Sequence, residues 1–167
     1  MKWIIFSGTA AITNEQMEKD VRDAVRRVLE DGNSIITGGA AGVDFFCMDE
    51  VFKLNKLDRL MVIIPNKLDY YIENYYDSFP TGMIRKEKAE QLIELLKKIY
   101  EKSPKTIVEM PFTKLTDFEF YERDSEEVRL GDELYAFHAD HSLGTRDTID
   151  KAVKKGIPVK IHKDYII

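Results

Sequence analysis

The sequence predicts an α/β domain built on a doubly wound, mostly parallel sheet flanked by helices, and three observations carry that reading. Short apolar runs such as Trp3-Ile4-Ile5-Phe6 and Leu60-Met61-Val62-Ile63-Ile64 lack polar alternation, as strands buried on both faces do. Between them lie segments whose apolar residues recur at helical spacing. The two kinds alternate as βαβαβ through Pro65, the order that parallel strands with crossover helices require.

Each element follows from local chemistry. The first strand, Trp3 to Phe6, runs into Ser7-Gly8-Thr9. Thr13 is placed to cap the first helix, with Gln16 three residues on completing a capping box. Met17, Val21, Ala24, Val25, Val28 and Leu29 form its apolar stripe, and Asp31-Gly32 ends it. Ser34 to Thr37 is the second strand, followed at once by Gly38-Gly39-Ala40-Ala41-Gly42. Val43, Phe46, Cys47, Glu50, Val51 and Leu54 place most of the next helix's apolar side chains on one side, and Leu60 to Pro65 is the third strand.

Residues 66–82 read as a loop crowded with Tyr70, Tyr71, Tyr75, Tyr76 and Phe79. A charged amphipathic helix is expected from about Ile84 to Lys102, then a fourth strand from Thr106 to Pro111. Residues 112–123 read as irregular, with a short helix from Ser125 to Leu130. Leu134 to Phe137 is the fifth strand. Thr145 to Lys155 is a helix with Ile149, Ala152 and Val153 inward. Ile157 to Ile161 is the last strand, placed at an edge because Pro158 cannot donate to a ladder.

The 167 residues fit one domain, spanning 1–167 without a linker or repeat. No apolar run reaches the length of a membrane span, and the apolar start is too short for a secretory leader. One cysteine, Cys47, excludes an internal disulfide and suits a reducing cytoplasm. The formal net charge of −5 disfavours capture of nucleic acid by the surface as a whole, while leaving room for a local groove.

In an open parallel sheet, ligands bind beyond the carboxyl ends of the strands, where strand order reverses. Three segments should reach that edge: Ser7-Gly8-Thr9, Gly38-Gly39-Ala40-Ala41-Gly42 and Ser142-Leu143-Gly144-Thr145. Glycine lets backbone N–H groups approach an anion, and a following helix N-terminus adds partial positive charge. One such loop is what any tight turn needs; three converging loops point to a phosphate-bearing ligand. No Walker lysine and no G-x-G-x-x-G pattern is present. No metal and no cofactor are expected.

Thr37-Gly38-Gly39-Ala40-Ala41-Gly42-Val43-Asp44 resembles the GGA-x-G-x-D signature of the Rossmann-like DprA/Smf branch of the SLOG superfamily, which also holds the LOG and lysine decarboxylase-like proteins. Further matches follow in order. Leu60 to Pro65 is similar to the family's third strand, and Val108-Glu109-Met110-Pro111 to its Glu-x-Pro turn. Arg123-Asp124 stands where the family often has Arg-Asn. Phe137 to Val159, with Gly144-Thr145, resembles the closing loop, helix and strand. The likeness leaves out about residues 66–105.

The resemblance implies a pocket for a nucleotide or nucleotide-derived ligand and, in DprA, a surface for single-stranded DNA. It implies that Gly38, Gly39 and Gly42 line the phosphate side and that Asp44 holds the turn or a ribose hydroxyl. Arg123 would grip phosphate in a bidentate manner, and Gly144 and Thr145 would donate N–H and hydroxyl groups. Two departures stand out. The first loop often carries arginine in this branch, but here it is Ser7-Gly8-Thr9. Thr148 occupies the place of the LOG enzymes' glutamate, and Asp147 and Asp150 are out of register with it.

Three functions stay open on these residues: a nucleotide-binding or sensing module, a hydrolase or transferase acting on an N-glycosidic or phosphate bond, and a DNA-handling protein. Asp44, Asp147 and His141 are the catalytic candidates, with Arg123 beside them. His138-Ala139-Asp140-His141 offers two imidazoles and a carboxylate, which zinc accepts, but no complete ligand set can be assembled, so a polar loop facing the site is expected. The paired tyrosines could stack on bases, but the acidic net charge favours packing or contacts within a homo-oligomer, and Cys47 is read as a small core residue.

Overall fold

The computed structural model describes residues 1–139 and 142–167. Its centre is a six-stranded sheet in the order β4-β3-β2-β1-β5-β6. The strands are β1 (Trp3–Gly8), β2 (Ser34–Gly38), β3 (Leu60–Ile64), β4 (Ile107–Glu109), β5 (Glu133–Ala139) and β6 (Val159–Tyr165). Every neighbouring pair is parallel. The chain steps outward from β1 to β4, then returns to lay β5 on the other side of β1. Strand order therefore reverses between β1 and β5.

Burial on both faces explains the unbroken apolar runs. Ile4 and Phe6 belong to one core with Ile35, Val62 and Ile64. The alternate residues Ile5, Ile36 and Ile63 belong to a second core on the opposite face. The first and larger core is covered by α1 (Glu15–Glu30), α2 (Val43–Lys53) and α4 (Lys86–Lys102). The second receives Val128 of α5 (Asp117–Leu130) and Ile149 and Ala152 of α6 (Leu143–Lys155). This is a doubly wound α/β fold of Rossmann-like type, fully rather than mostly parallel. Among the described residues, no helix is long and apolar enough to cross a membrane.

Several local expectations are corrected. Asn14, not Thr13, caps α1: its side-chain oxygen accepts from Met17 N at 2.9 Å, while Gln16 reaches forward to Asp20. Leu54, expected on the buried side of α2, is exposed. Glu50, on that side, is buried because Arg22 and Arg26 of α1 pair with it at 3.1 and 2.8 Å. Residues 66–82 contain a helix, α3 (Leu68–Asn74), and a 3₁₀ turn (Tyr76–Ser78). Tyr71 and Tyr75 are wholly buried and pack in the larger core. Cys47 is buried as expected.

Residues 112–123, read as irregular, already carry the first half of α5. A capping box opens it, with Glu119 accepting from Thr116 N at 2.8 Å and from the Thr116 hydroxyl. Strand β6 begins later and runs further than expected, although it is an edge strand. Val153 of α6 faces solvent at 65% exposure rather than the core.

Candidate functional site

A cleft of about 760 Å³ opens at the carboxyl ends of β1 and β5, the point where strand order reverses. Ser7, Gly8 and Thr9 form one side, and Ser142, Leu143, Gly144 and Thr145 the N-terminal turn of α6 on another. Phe79, Pro80, Met83, Phe120 and Tyr121 give it an apolar wall. Asp44, Arg123, Asp124 and Glu127 contribute the buried charge.

Thr9 fixes the β1 side. Its hydroxyl accepts from Ala139 N at 2.8 Å and donates to Ala139 O at 3.1 Å, while its own N–H donates to Phe137 O. Its carbonyl accepts from Val43 N at 3.2 Å. One residue thus ties β1, β5 and the start of α2 together. Gly42 must pack against that carbonyl with φ +74°, where a β-carbon would stand 2.2 Å from the Thr9 oxygen. Only glycine accepts both conditions.

Behind the cleft lies an ionic cluster. The Nε of Arg123 is 3.1 Å from Asp124 Oδ1 and 3.2 Å from Glu127 Oε1. Asp44 accepts from the Thr37 hydroxyl at 2.9 Å and from Ala40 N at 3.2 Å, so it braces the Gly-rich loop. Tyr71 donates to Gly39 O at 2.6 Å, and Tyr75 accepts from Ala41 N at 2.8 Å. The loop is thereby held from below by an aspartate and two tyrosines.

Three buried carboxylates face one arginine, so the cluster is short of positive charge. Burial raises the Asp124 carboxyl to about 7, against the opposing pull of Arg123. Burial also pushes Glu127 well above the usual carboxylate range and moves Asp44 upward. Desolvation works against the Arg123 cation, but Glu127, Asp124 and Asp44 more than reverse it and hold the guanidinium protonated.

The residues singled out in the sequence divide into groups. Ser7, Gly8, Thr9, Asp44, Arg123, Gly144 and Thr145 line the cleft. Gly38 packs on Arg123 and Gly39 on Ile64 and Tyr71, so with Gly42 these glycines shape the loop rather than form the cleft wall. Asp147 pairs with Lys151 at 2.7 Å along α6 and is not part of the wall. Thr148 is buried and donates to Gly144 O at 3.2 Å, a helix contact. His141 lies outside the described residues.

Sequence reasoning missed Asp124, Glu127 and the aromatic wall. The i, i+4 spacing of Arg123 and Glu127 was a usable signal, hidden because residues 112–123 were not read as helix. Gly144 stands in open space, since a β-carbon there meets nothing within 4 Å, and the first turn of α6 carries no acidic residue.

No protein-family model matches the sequence, and no curated protein does. Solved structures do match in shape. DNA processing protein A from Helicobacter pylori, described for its single-stranded DNA binding mode, aligns over 95% of this chain at 18% identity and TM-score 0.64. The structural-genomics target TM1055 aligns over 95% of the chain and 72% of its own, at 16% identity and TM-score 0.55. DNA processing protein A (DprA) from Streptococcus pneumoniae aligns over 95% at 15% identity and TM-score 0.54. This chain spans 63% of the Helicobacter protein and 58% of the Streptococcus protein. The fold of this chain is the Rossmann-type fold that these solved structures share.

Proposed function

We propose that the cleft binds a phosphorylated nucleotide or nucleotide-derived ligand, and that recognition is the protein's core task. The observation that carries this is the division of one cleft into three chemically different parts. The acid-free first turn of α6, with Gly144 unobstructed, offers backbone N–H groups and the helix dipole to a phosphate. The buried carboxylates of Asp44 and Asp124 are acceptors suited to sugar hydroxyls or a base amino group. Phe79, Phe120 and Tyr121 supply an apolar wall for a base.

The charge of the lining favours a small ligand over a polymer. Both cations of the lining, Arg85 and Arg123, are already matched by acidic partners, Glu87 for the first and Asp124 and Glu127 for the second. A channel that tracks a nucleic-acid backbone has the opposite balance.

A second reading, a hydrolase acting on an N-glycosidic or phosphate bond, is favoured by Asp124. A carboxyl that titrates near 7 in a cleft has the proton affinity a general acid or base needs at neutral pH. Product analysis of the bound nucleotide separates turnover from binding.

The test is a thermal-shift and calorimetric screen against mono-, di- and cyclic nucleotides and sugar phosphates. A ligand at about 100 times its Kd should add about 2.7 kcal/mol of stability. Gly144→Asp should abolish the shift while leaving the fold intact, because an acid in the first helical turn is favourable to the helix and meets no neighbour. No shift with any compound, together with salt-dependent binding of single-stranded DNA, would overturn the proposal in favour of a DNA-handling role.

A further inference from the structure

A separate donor set lies where β5 and β6 meet. His162 and Asp164 are two residues apart on β6 and share a face, and Asp164 is in register with His138 of β5. His138 Nδ1 stands 3.5 Å from Asp164 Oδ1, and His162 Nε2 stands 3.4 Å from the same oxygen. The three donor atoms all lie within 4.8 Å of one another. The His138 side chain is only 9% exposed, and its Nε2 is 3.0 Å from the carbonyl oxygen of Ser142.

These contacts fix the hydrogen on the His138 ring. A carbonyl oxygen only accepts, so Nε2 carries the hydrogen. In the neutral ring Nδ1 is then a bare lone pair, and it faces a carboxylate oxygen that is also an acceptor. The His138 side chain is nine-tenths buried while Asp164 is 72% exposed, and two acceptors facing each other repel unless a cation stands between them. A metal ion fills that need and engages His162 as well. A tetrahedral zinc-type ion, with bonds of about 2.0–2.2 Å, spans ligand-to-ligand edges of about 3.3–3.6 Å. The two observed edges lie in that range. Donation from the second ring nitrogen to a backbone carbonyl is how metal-bound histidines are commonly oriented.

We propose that His138, His162 and Asp164 form a binding site for a divalent transition-metal ion of the zinc type. Two imidazoles and one carboxylate suit such an ion better than calcium or magnesium, which take oxygen ligands. Three protein ligands leave one position for water or an anion. The ion ties edge strand β6 to β5 and, through Ser142, to the turn that opens α6 at the cleft rim.

The test is titration of the untagged, metal-stripped full chain with Co²⁺ and Zn²⁺ at pH 7.5. One equivalent of Co²⁺ should give the visible absorption of a four-coordinate ion, Zn²⁺ should displace it, and Mg²⁺ should not. His162→Ala and Asp164→Ala alter an edge strand at positions 34% and 72% exposed, so both variants should fold. Each should weaken binding by at least the ~10–100-fold that loss of an outer-shell partner costs. Absence of one-equivalent binding to the wild type would overturn the proposal. Binding that survives both substitutions would overturn it too, by placing the metal elsewhere.

Discussion

The guanidinium of Arg123 lies against Gly38, so near that a β-carbon on Gly38 would stand 2.2 Å from Nη1 and 2.6 Å from Cζ. The same β-carbon would be 2.7 Å from Asp44 Oδ2. The glycine at the end of β2 therefore leaves room for the Arg123 guanidinium and the Asp44 carboxylate beneath the loop, where the resemblance had implied an approach to phosphate. Gly38→Ala should displace Arg123 or Asp44 and lower stability by about 1–3 kcal/mol, the usual cost of overpacking. A lower urea midpoint with an unchanged m-value would show this.

Removing the arginine should be worse than crowding it. Arg123 is the cation facing Asp44, Asp124 and Glu127, and taking one partner from a buried pair costs about 3–5 kcal/mol. Arg123→Ala should lose stability of that order at pH 8. The loss should shrink at pH 5, where the stranded carboxylates take up protons. Equal losses at both values would contradict the cluster described here. For the same reason, weaker ligand binding in this variant has to be read beside its unfolding curve.

The cluster also sets a direction for stability against pH. Asp124 has a folded pKa of about 7, above the ordinary carboxylate value of about 3.9 in an unfolded chain. Between those values the folded state holds more protons, so stability is fullest at the acid end and falls as pH rises through about 7. Asp44 and Glu127, also raised, act in the same sense. Glu119 acts oppositely, since the Thr116 hydroxyl holds it low and its contribution is lost as pH falls. Stability is therefore expected to fall between about pH 4 and 7, with a slope of at most ~1.4 kcal/mol per unit for one proton. Asp124→Asn should flatten that slope; an unchanged slope by chemical denaturation would assign it to other groups.

Legibility in the sequence tracked the range of the interaction. The strands were readable because Ile4-Ile5-Phe6 and Leu60 to Ile64 face a core on both sides, and no partner need be known to see it. The crevice followed from the βαβ order and the loops after β1, β2 and β5. The second half of α5 was read as a short helix from Ser125 to Leu130, but its first half was not, since Phe118 and Tyr121 interrupt its stripe and its buried residues there are Glu119, Arg123 and Asp124. Arg123 and Asp124 are inside because they meet each other, Glu127 and the field of Asp44, which lies some eighty residues away in the chain. The capping box at Thr116 and Glu119 was the one local sign. The roles of the glycines were likewise set by distant neighbours: Arg123 for Gly38, Ile64 for Gly39 and Thr9 for Gly42.

The tyrosines show how a segment that looked like loop supports the site. Tyr75 is wholly buried, and its hydroxyl accepts the Ala41 N–H at 2.8 Å in the middle of the Gly-rich loop. Burial lifts the Tyr75 phenol above its ordinary range, so the group stays neutral at working pH. Tyr75→Phe keeps the ring's packing against Tyr71 and Phe79 but leaves the Ala41 N–H buried without that acceptor. An unsatisfied buried donor costs about 1–3 kcal/mol, and that loss is expected in the unfolding free energy. Because the ring stays, the damage should be confined to the loop, with faster amide hydrogen exchange at Ala40 and Ala41 and unchanged protection in β1. Uniformly faster exchange across the sheet would mean instead that the hydroxyl supports the whole core.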